Sequence, residues 1–220
     1  MSKQYKTIGV LGGMGPAASA VLYQELIKYA QLKYNATQDT DYPPIIIYSL
    51  PMEGFDETGI ADAKLVKQQL IAGVKKLEAA GCDLIIIACN TVHLFYKEMQ
   101  SAIQIPIFSI VEAALKRVKE NNFKKVGLLS SESTNKLKLY QSVFTKGNVE
   151  VVSASAAQQQ SINKVIEKVM SGKQSEADMI LLREIAEDFV RQGAEAVILG
   201  CTEIPLAIKQ SQTDIKLFNT

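Results

Sequence analysis

Short apolar runs alternate with longer amphipathic stretches along this chain. The runs at 7–11, 44–50, 83–88, 105–109, 125–130, 149–153 and 195–200 read as strands. The stretches 16–34, 61–80, 92–102, 110–120, 133–146, 157–171 and 176–192 read as helices. Alternation of this kind predicts βαβ units and an α/β fold with mostly parallel sheets. Continuous runs such as Ile85-Ile86-Ile87 suit strands covered on both faces. Pro16 is placed to open a helix after Gly12-Gly13-Met14-Gly15, and Asn121-Asn122 breaks a basic helix end from a new strand.

Two of the strand segments are versions of each other. Gly81-Cys82-Asp83-Leu84-Ile85-Ile86-Ile87-Ala88-Cys89-Asn90-Thr91 matches Gly193-Ala194-Glu195-Ala196-Val197-Ile198-Leu199-Gly200-Cys201-Thr202-Glu203. Each has a glycine, an acid two residues later, an apolar run, a small residue and a cysteine. Tyr5 to Gly13 likewise resembles Phe123 to Ser131, with Gly9 opposite Gly127. The glycines are offset by 118 residues and the cysteines by 112. Two matched pairs at nearly one offset point to a doubled unit. One half is expected over 1–112 and the other over 113–212, with 213–220 returning to the first. Ligands of open α/β sheets bind beyond the carboxyl ends of strands. Cys89, Cys201, Gly12-Gly13 and Ser130-Ser131 all stand at such ends, so two halves that faced each other would line one cleft with all four loops.

Composition narrows the class. The 220 residues suffice for one large or two small domains. A net charge of +1, from 24 basic and 23 acidic residues, gives no electrostatic case for nucleic acid or an anionic membrane as partner. The start Met1-Ser2-Lys3-Gln4-Tyr5-Lys6 has no apolar signal core, and runs such as Leu84 to Cys89 are too short to span a bilayer. The three cysteines are an odd number, and two end apolar strands. That argues against a disulfide framework and for a reducing cytoplasm.

Two thiols at equivalent places suit acid–base work on both faces of one carbon. A free thiol, with a reference pKa of about 8.5, is only slightly ionised near neutrality. A helix start just after it would favour the thiolate, and Asn90-Thr91 and Thr202-Glu203-Ile204-Pro205 are suited to begin helices. One thiolate would take a proton from a substrate carbon while the other, as a thiol, returns one on the opposite face. Asn90, Thr91 and Thr202 supply uncharged donors for a carboxylate and for an enolate-like intermediate. This scheme requires no cofactor.

From about residue 6 onward the chain resembles the cofactor-independent aspartate/glutamate racemase superfamily, and its aspartate racemase branch in particular. The resemblance rests on Ile8-Gly9-Val10-Leu11-Gly12-Gly13-Met14-Gly15-Pro16, Cys89-Asn90-Thr91-Val92-His93 and Gly200-Cys201-Thr202-Glu203, in that order. It implies two pseudo-symmetric, doubly wound α/β domains with the site in the cleft between them, and a homodimer. It also implies an amino acid as substrate, Cys89 and Cys201 as the acid–base pair, and a carboxylate site of Asn90, Thr91, Thr202, Ser131 and Thr134. Met14 would lie in the loop that closes the site. The family often has an arginine after the second strand, where this chain has Glu57, and a lysine in the second half, where it has Met170. Both cations thought to serve an acidic side chain are therefore replaced. Lys168 is near in sequence but lies on another face of the helix. The family's usual last helix is also missing, since the chain stops at Asn219-Thr220, which reads as a shortened form.

Plainer readings stand beside these. Cys89 and Cys201 also suit small buried core positions, and Cys82, with no matched partner, reads as structural. His93 could tune Cys89, ligate a metal with it, or be a satisfied polar side chain near the site; a zinc site needs more ligands than these two, and no metal is expected. Asp56 and Glu203 could assist the thiols or be ordinary loop and capping acids. Gly13-Met14-Gly15-Pro16-Ala17-Ala18 fits a weak dinucleotide fingerprint and a tight strand-to-helix turn equally well. The functional alternatives to an aspartate or glutamate racemase are a racemase for non-acidic amino acids and a catalytically silent amino-acid-binding homologue. A nucleotide-binding oxidoreductase is a more distant one.

Overall fold

A computed structural model describes residues 5–56 and 59–220. Its elements are β1 (Ile8–Gly12), α1 (Pro16–Tyr34), β2 (Ile45–Ser49), β3 (Phe55–Asp56), β4 (Gly59–Ile60), α2 (Ala63–Ala79), β5 (Leu84–Ile87), α3 (Tyr96–Ser101), β6 (Ile107–Phe108) and α4 (Ile110–Glu120). There follow β7 (Lys125–Ser130), α5 (Glu132–Lys136), α6 (Leu139–Phe144), β8 (Glu150–Ser153), α7 (Ala156–Met170), α8 (Glu176–Arg191), β9 (Ala196–Gly200), α9 (Ile204–Ala207) and β10 (Leu217–Asn219).

The described residues form two compact units. The first is drawn from 5–54, 62–89 and 95–109, the second from 55–56, 59–61, 90–94 and 110–220. This differs from a single cut at 112/113, because the β3–β4 hairpin and Asn90–Leu94 group with the second unit. The last residues also depart from expectation. Instead of returning to the first half, Leu217–Asn219 pairs in parallel with β9 in the second unit.

Each unit holds a wholly parallel four-stranded sheet. The orders are β2-β1-β5-β6 and β8-β7-β9-β10. Strand for strand these are the same order, and the pairs matched in sequence, β1 with β7 and β5 with β9, occupy the same places. The repeat therefore extends to the whole sheet. Gly9 and Gly127 show its packing logic. A Cβ on Gly9 would meet Cys82 Sγ at 3.0 Å, and one on Gly127 would meet Phe189 Cδ2 at 2.4 Å. In both sheets a glycine in the first strand makes room for a side chain, Cys82 from just ahead of β5 in one and Phe189 of α8 in the other.

Both faces of the second sheet are covered. Alternation along β9 sends Val197 and Leu199 into a core with Ile162, Ile166, Leu182 and Phe189 of α7 and α8. Ala196 and Ile198 enter the opposite core with Val111, Val118, Tyr140 and Phe144 of α4 and α6. All five β9 residues are buried, as a continuous apolar run requires. In the first unit α2 buries Val66, Leu70, Val74 and Leu77 along one face, and the Asp62 carboxylate caps it by accepting from the Lys64 and Leu65 amides.

Two expected helices are broken. Residues 133–146 split into α5 and α6 because Lys138 takes left-handed dihedrals, φ 52° and ψ 38°. Residues 92–102 begin with a 3-10 turn over Thr91–Phe95 before α3. Among the described residues no helix is long and apolar enough to cross a membrane.

Candidate active site

In the first unit, β1 and β5 are paired neighbours, so the turn after Gly12 and the thiol of Cys89 leave from adjacent strand ends. The β1–α1 turn is closed by the protein's own backbone. Gly13 has φ +94°, and a Cβ there would stand 2.5 Å from Leu50 N and O. Ser19 Oγ accepts from the Gly13 amide at 2.9 Å and donates to the Gly15 carbonyl at 3.2 Å, while the Leu50 amide donates to the Gly12 carbonyl at 2.9 Å. The glycines thus make a tight turn whose open side is filled by Leu50, which accounts for the G-x-G-x-x-A pattern. Met14 is buried in this turn and Cys89 is buried two residues beyond β5. Burial raises the pKa of the remaining thiol, Cys82, and the Asp83 charge adds to the effect. Its sulfur packs against Gly9, as suits a structural residue.

The second unit gathers most of the anticipated polar groups. Thr91, Ser131 and Thr134 form a buried triangle of hydroxyls. Thr91 Oγ1 lies 3.0 Å from both Ser131 Oγ and Thr134 Oγ1, and those two lie 3.1 Å apart. Ser131 is the N-cap of α5, accepting from the Thr134 amide, so the cap fixes two corners of the triangle. Beside it Asn90 is 2% exposed and is held at both ends of its amide. Tyr140 Oη donates to Asn90 Oδ1, and Asn90 Nδ2 donates to Thr220 Oγ1 at 3.1 Å. Thr220 Oγ1 in turn donates to the Leu199 carbonyl at 2.8 Å.

Cys201 follows directly on β9. Its thiol donates to Glu203 Oε2 at 3.0 Å, and Thr202 Oγ1 donates to the same oxygen at 3.1 Å. Glu203 is buried, so this carboxylate is an acceptor for the thiol and not a solvated loop acid. Burial raises the pKa of Tyr140 far above the ordinary phenol value; the Thr220 hydroxyl opposes this and the neighbouring Cys201 adds to it. Tyr140 is thereby kept a donor.

Other expectations change. The helix starts anticipated after the cysteines are a five-residue 3-10 turn and the four-residue α9, too few aligned peptides for a large dipole at either sulfur. His93 Nε2 accepts from the Ile110 amide at 3.1 Å, where it caps the first turn of α4. No three His, Cys, Asp or Glu side chains gather into a metal-sized group among the described residues. Asp56 Oδ1 accepts from the Gly59 amide at 3.1 Å, so this acid holds its own hairpin. That hairpin lies against α5, with the Cβ position of Gly59 3.6 Å from Ser133 Oγ. Glu57 lies outside the described residues. Met170 ends α7 and is exposed. Lys168 pairs with the buried Asp178 at 2.6 Å.

Tyr140, Thr220 and the β3–β4 hairpin were missed in sequence. Tyr140 is one aromatic in a helical stretch and carried no signal. Thr220 was within reach, because extending the repeat past the second cysteine places a strand after 213 to match β6.

A duplicated parallel α/β fold with one thiol at the same strand end of each repeat belongs with the amino-acid racemases, a class of isomerases. The chain is a member of the Asp/Glu/hydantoin racemase family, whose sequence profile matches residues 11–218. It is 32% identical over 213 residues to the broad specificity amino-acid racemase RacX of Bacillus subtilis (strain 168), covering 97% of this chain and 92% of that protein. An aspartate racemase homologue from Pyrococcus horikoshii OT3 superposes with a TM-score of 0.81 at 31% identity, covering 97% and 92% of the two chains. The aspartate racemase of Picrophilus torridus, at 24% identity and a TM-score of 0.76 over 97% and 88%, shares the fold.

Proposed function

We propose that the chain inverts the α-carbon of a free amino acid, with Cys89 and Cys201 as paired acid–base groups. The observation that carries this reading is the matched placement of the thiols, each beyond the third strand of a sheet with the same strand order. In one direction a thiolate takes the α-proton: the C–H bond breaks, an S–H bond forms, and the electron pair moves toward the α-carboxylate. The other thiol then gives its proton to the opposite face, its S–H bond breaking as the new C–H bond forms. The reverse direction exchanges the roles. Nothing is oxidised or reduced. The Thr91, Ser131 and Thr134 hydroxyls, with Asn90 and Thr202, bind the carboxylate and stabilise the charge that builds on it. Glu203 accepts the Cys201 S–H hydrogen bond and so orients that thiol. Met14 closes over the substrate.

Aspartate and glutamate are the substrates the family suggests. A second reading, racemisation of amino acids with uncharged side chains, is favoured by Lys168 being committed to Asp178 and by the exposed Met170. The similarity to a broad specificity racemase supports it as well. A silent binding homologue is less well supported, since both thiols and the hydroxyl triangle are in place. The three free cysteines fit a reducing cytoplasm. The exposed Tyr29, Leu32 and Tyr34 of α1 and Ile47 of β2 fit a homodimer.

The test is incubation in deuterated water with a panel of L- and D-amino acids, following α-hydrogen exchange and optical inversion. Exchange and inversion of at least one amino acid are expected, with Cys89→Ala and Cys201→Ala each losing inversion by about 10²–10⁴-fold. No exchange with any amino acid would end the racemase reading. Inversion surviving in the double variant would end the roles given to the thiols.

A further inference from the structure

The hydrogen bonds around Asn90 do more than fill a buried space. Thr220 Oγ1 lies 2.8 Å from the Leu199 carbonyl, 3.1 Å from Asn90 Nδ2 and 3.3 Å from Asn90 Oδ1; with its one proton on the shortest contact, to Leu199, it accepts from Nδ2. That assigns Asn90 Nδ2 to the Thr220 side, at 3.1 Å, and Oδ1 to the Tyr140 side, where the phenol donates. A flipped amide could be served by Thr220 only by drawing its proton off the Leu199 carbonyl. The orientation that serves Tyr140, Thr220 and the Leu199 carbonyl together spends one Nδ2 hydrogen on Thr220 and leaves the other unused by the Tyr140–Thr220 pair. Among the described residues that second hydrogen meets no acceptor. The clamp is itself rigid. Tyr140 is fully buried, its ring packs on Phe144 with centroids 5.6 Å apart, and its Cε2 is 3.2 Å from where a Cβ on Gly200 would stand. Thr220 follows directly on β10, which is paired to β9, the strand that carries Cys201.

We propose that Tyr140 and Thr220 are positioning residues of the racemase site, locking the Asn90 amide so that its one free N–H is aimed at the substrate carboxylate. This rests on the reading of Asn90 as a carboxylate donor given above. A free Asn side chain must be ordered each time substrate binds; a clamped one is already ordered, which lowers the cost of binding. The clamp also joins the carboxylate donor to the end of the strand that delivers Cys201, so binding and proton transfer share one frame.

The variants are Tyr140→Phe, which keeps the ring and its packing, and Thr220→Val, which keeps the branch at Cβ. Two measurements apply to each. The first is the NMR signal of the Asn90 side-chain amide, assigned by its loss in Asn90→Ala. A clamped amide exchanges slowly with solvent, and Tyr140→Phe should speed that exchange by roughly tenfold, the equivalent of one lost buried hydrogen bond. The second is KM against kcat for the best substrate of the deuterium-exchange panel. Tyr140→Phe should lower kcat/KM by roughly tenfold, with KM raised and kcat lowered together, since Asn90 both binds the carboxylate and stabilises the charge that builds on it. In an Asn90→Ala background Tyr140→Phe should change KM no further. Unchanged amide exchange in both variants would overturn the proposal. So would a wild-type KM in Tyr140→Phe, or an effect of the same size in the Asn90→Ala background. If the wild-type protein acts on no amino acid, the racemase reading fails, and the amide signal still decides whether the clamp exists.

Discussion

Gly200→Ala adds one methyl group to the last residue of β9, the residue before Cys201. Two effects of opposite sign compete. Gly200 has no left-handed φ, so alanine is allowed by the backbone, and the loss of freedom in the unfolded chain would stabilise the protein by about 0.4–1 kcal/mol. Against that, the new Cβ would stand 2.6 Å from Leu128 Cδ1, 3.2 Å from Tyr140 Cε2 and 3.4 Å from the Leu129 carbonyl oxygen. Leu128 is 2% exposed and Tyr140 is fully buried, so neither side chain can swing into solvent. Overpacking of this kind costs about 1–3 kcal/mol. At mid-range values, about 2 kcal/mol against about 0.7, the clash wins by about 1.3 kcal/mol, a fall in Tm of roughly 3–5 °C for a chain of this size. Because the ring that must give way carries the hydroxyl bonded to Asn90, KM should rise along with the loss of stability. Thermal unfolding by circular dichroism and steady-state racemisation check the two parts. A Tm at or above wild type would show that the pocket behind Gly200 has room, and would refute the packing reasoning. A lower Tm with an unaltered KM would separate Tyr140 from the carboxylate site.

Two further outcomes follow from the same structure. Glu203→Gln alters the side-chain oxygen that accepts the Cys201 S–H hydrogen bond at 3.0 Å and should lower kcat/KM for both enantiomers by roughly 10–100-fold, with the fold intact by circular dichroism; wild-type activity would return Glu203 to an ordinary buried acid. For Asp178, burial raises the carboxyl pKa, but the bonds from Lys168 and Ser175 outweigh it and hold the pKa below the ordinary 3.8. A lowered folded-state pKa means that the stabilisation is fully present above the unfolded value and is lost as pH falls through the folded one. Asp178→Asn should therefore cost about 1–2 kcal/mol in urea unfolding at pH 7 and approach nothing near pH 2, and a pH-independent difference would count against the pairing with Lys168.

Most of the sheet was legible because its signal is local. β7 and α4 fall on their expected residues, and α1 spans 16–34 with Pro16 at its start. Helix breaks were less legible. Nothing in the Leu137-Lys138-Leu139 pattern announces a left-handed lysine, which tertiary packing of α6 imposes. β3, β4 and β10 are two or three residues long, too short for any periodicity to register. The thiols could be found because a repeat is visible as sequence. Their environment could not, because hydrogen bonds such as Tyr140 to Asn90 join residues 50 apart through contacts that leave no spacing rule. The same holds for His93 and Asp56, each of which accepts from a backbone amide.

The repeat explains why there are two thiols, and its imperfection explains why they are not equivalent. Two residues beyond each cysteine stand Thr91 in one half and Glu203 in the other. Thr91 spends its hydroxyl on Ser131 and Thr134, whereas Glu203 turns its carboxylate to the Cys201 thiol. One position of the duplicated unit carries a hydroxyl within a buried hydroxyl cluster and its counterpart a carboxyl group that accepts from the thiol. For a racemase this asymmetry is constrained by thermodynamics. Free enantiomers have equal energy, so kcat/KM must be the same for the L and D forms whatever surrounds each sulfur. Glu203 can make kcat and KM differ between the two directions only in compensating amounts, by setting which thiol holds the proton when substrate is bound. Glu203→Gln should therefore shrink any difference in KM between enantiomers while lowering both kcat/KM values by one common factor. Unequal factors measured under the same conditions would mean that the two directions are not the same reaction run backwards.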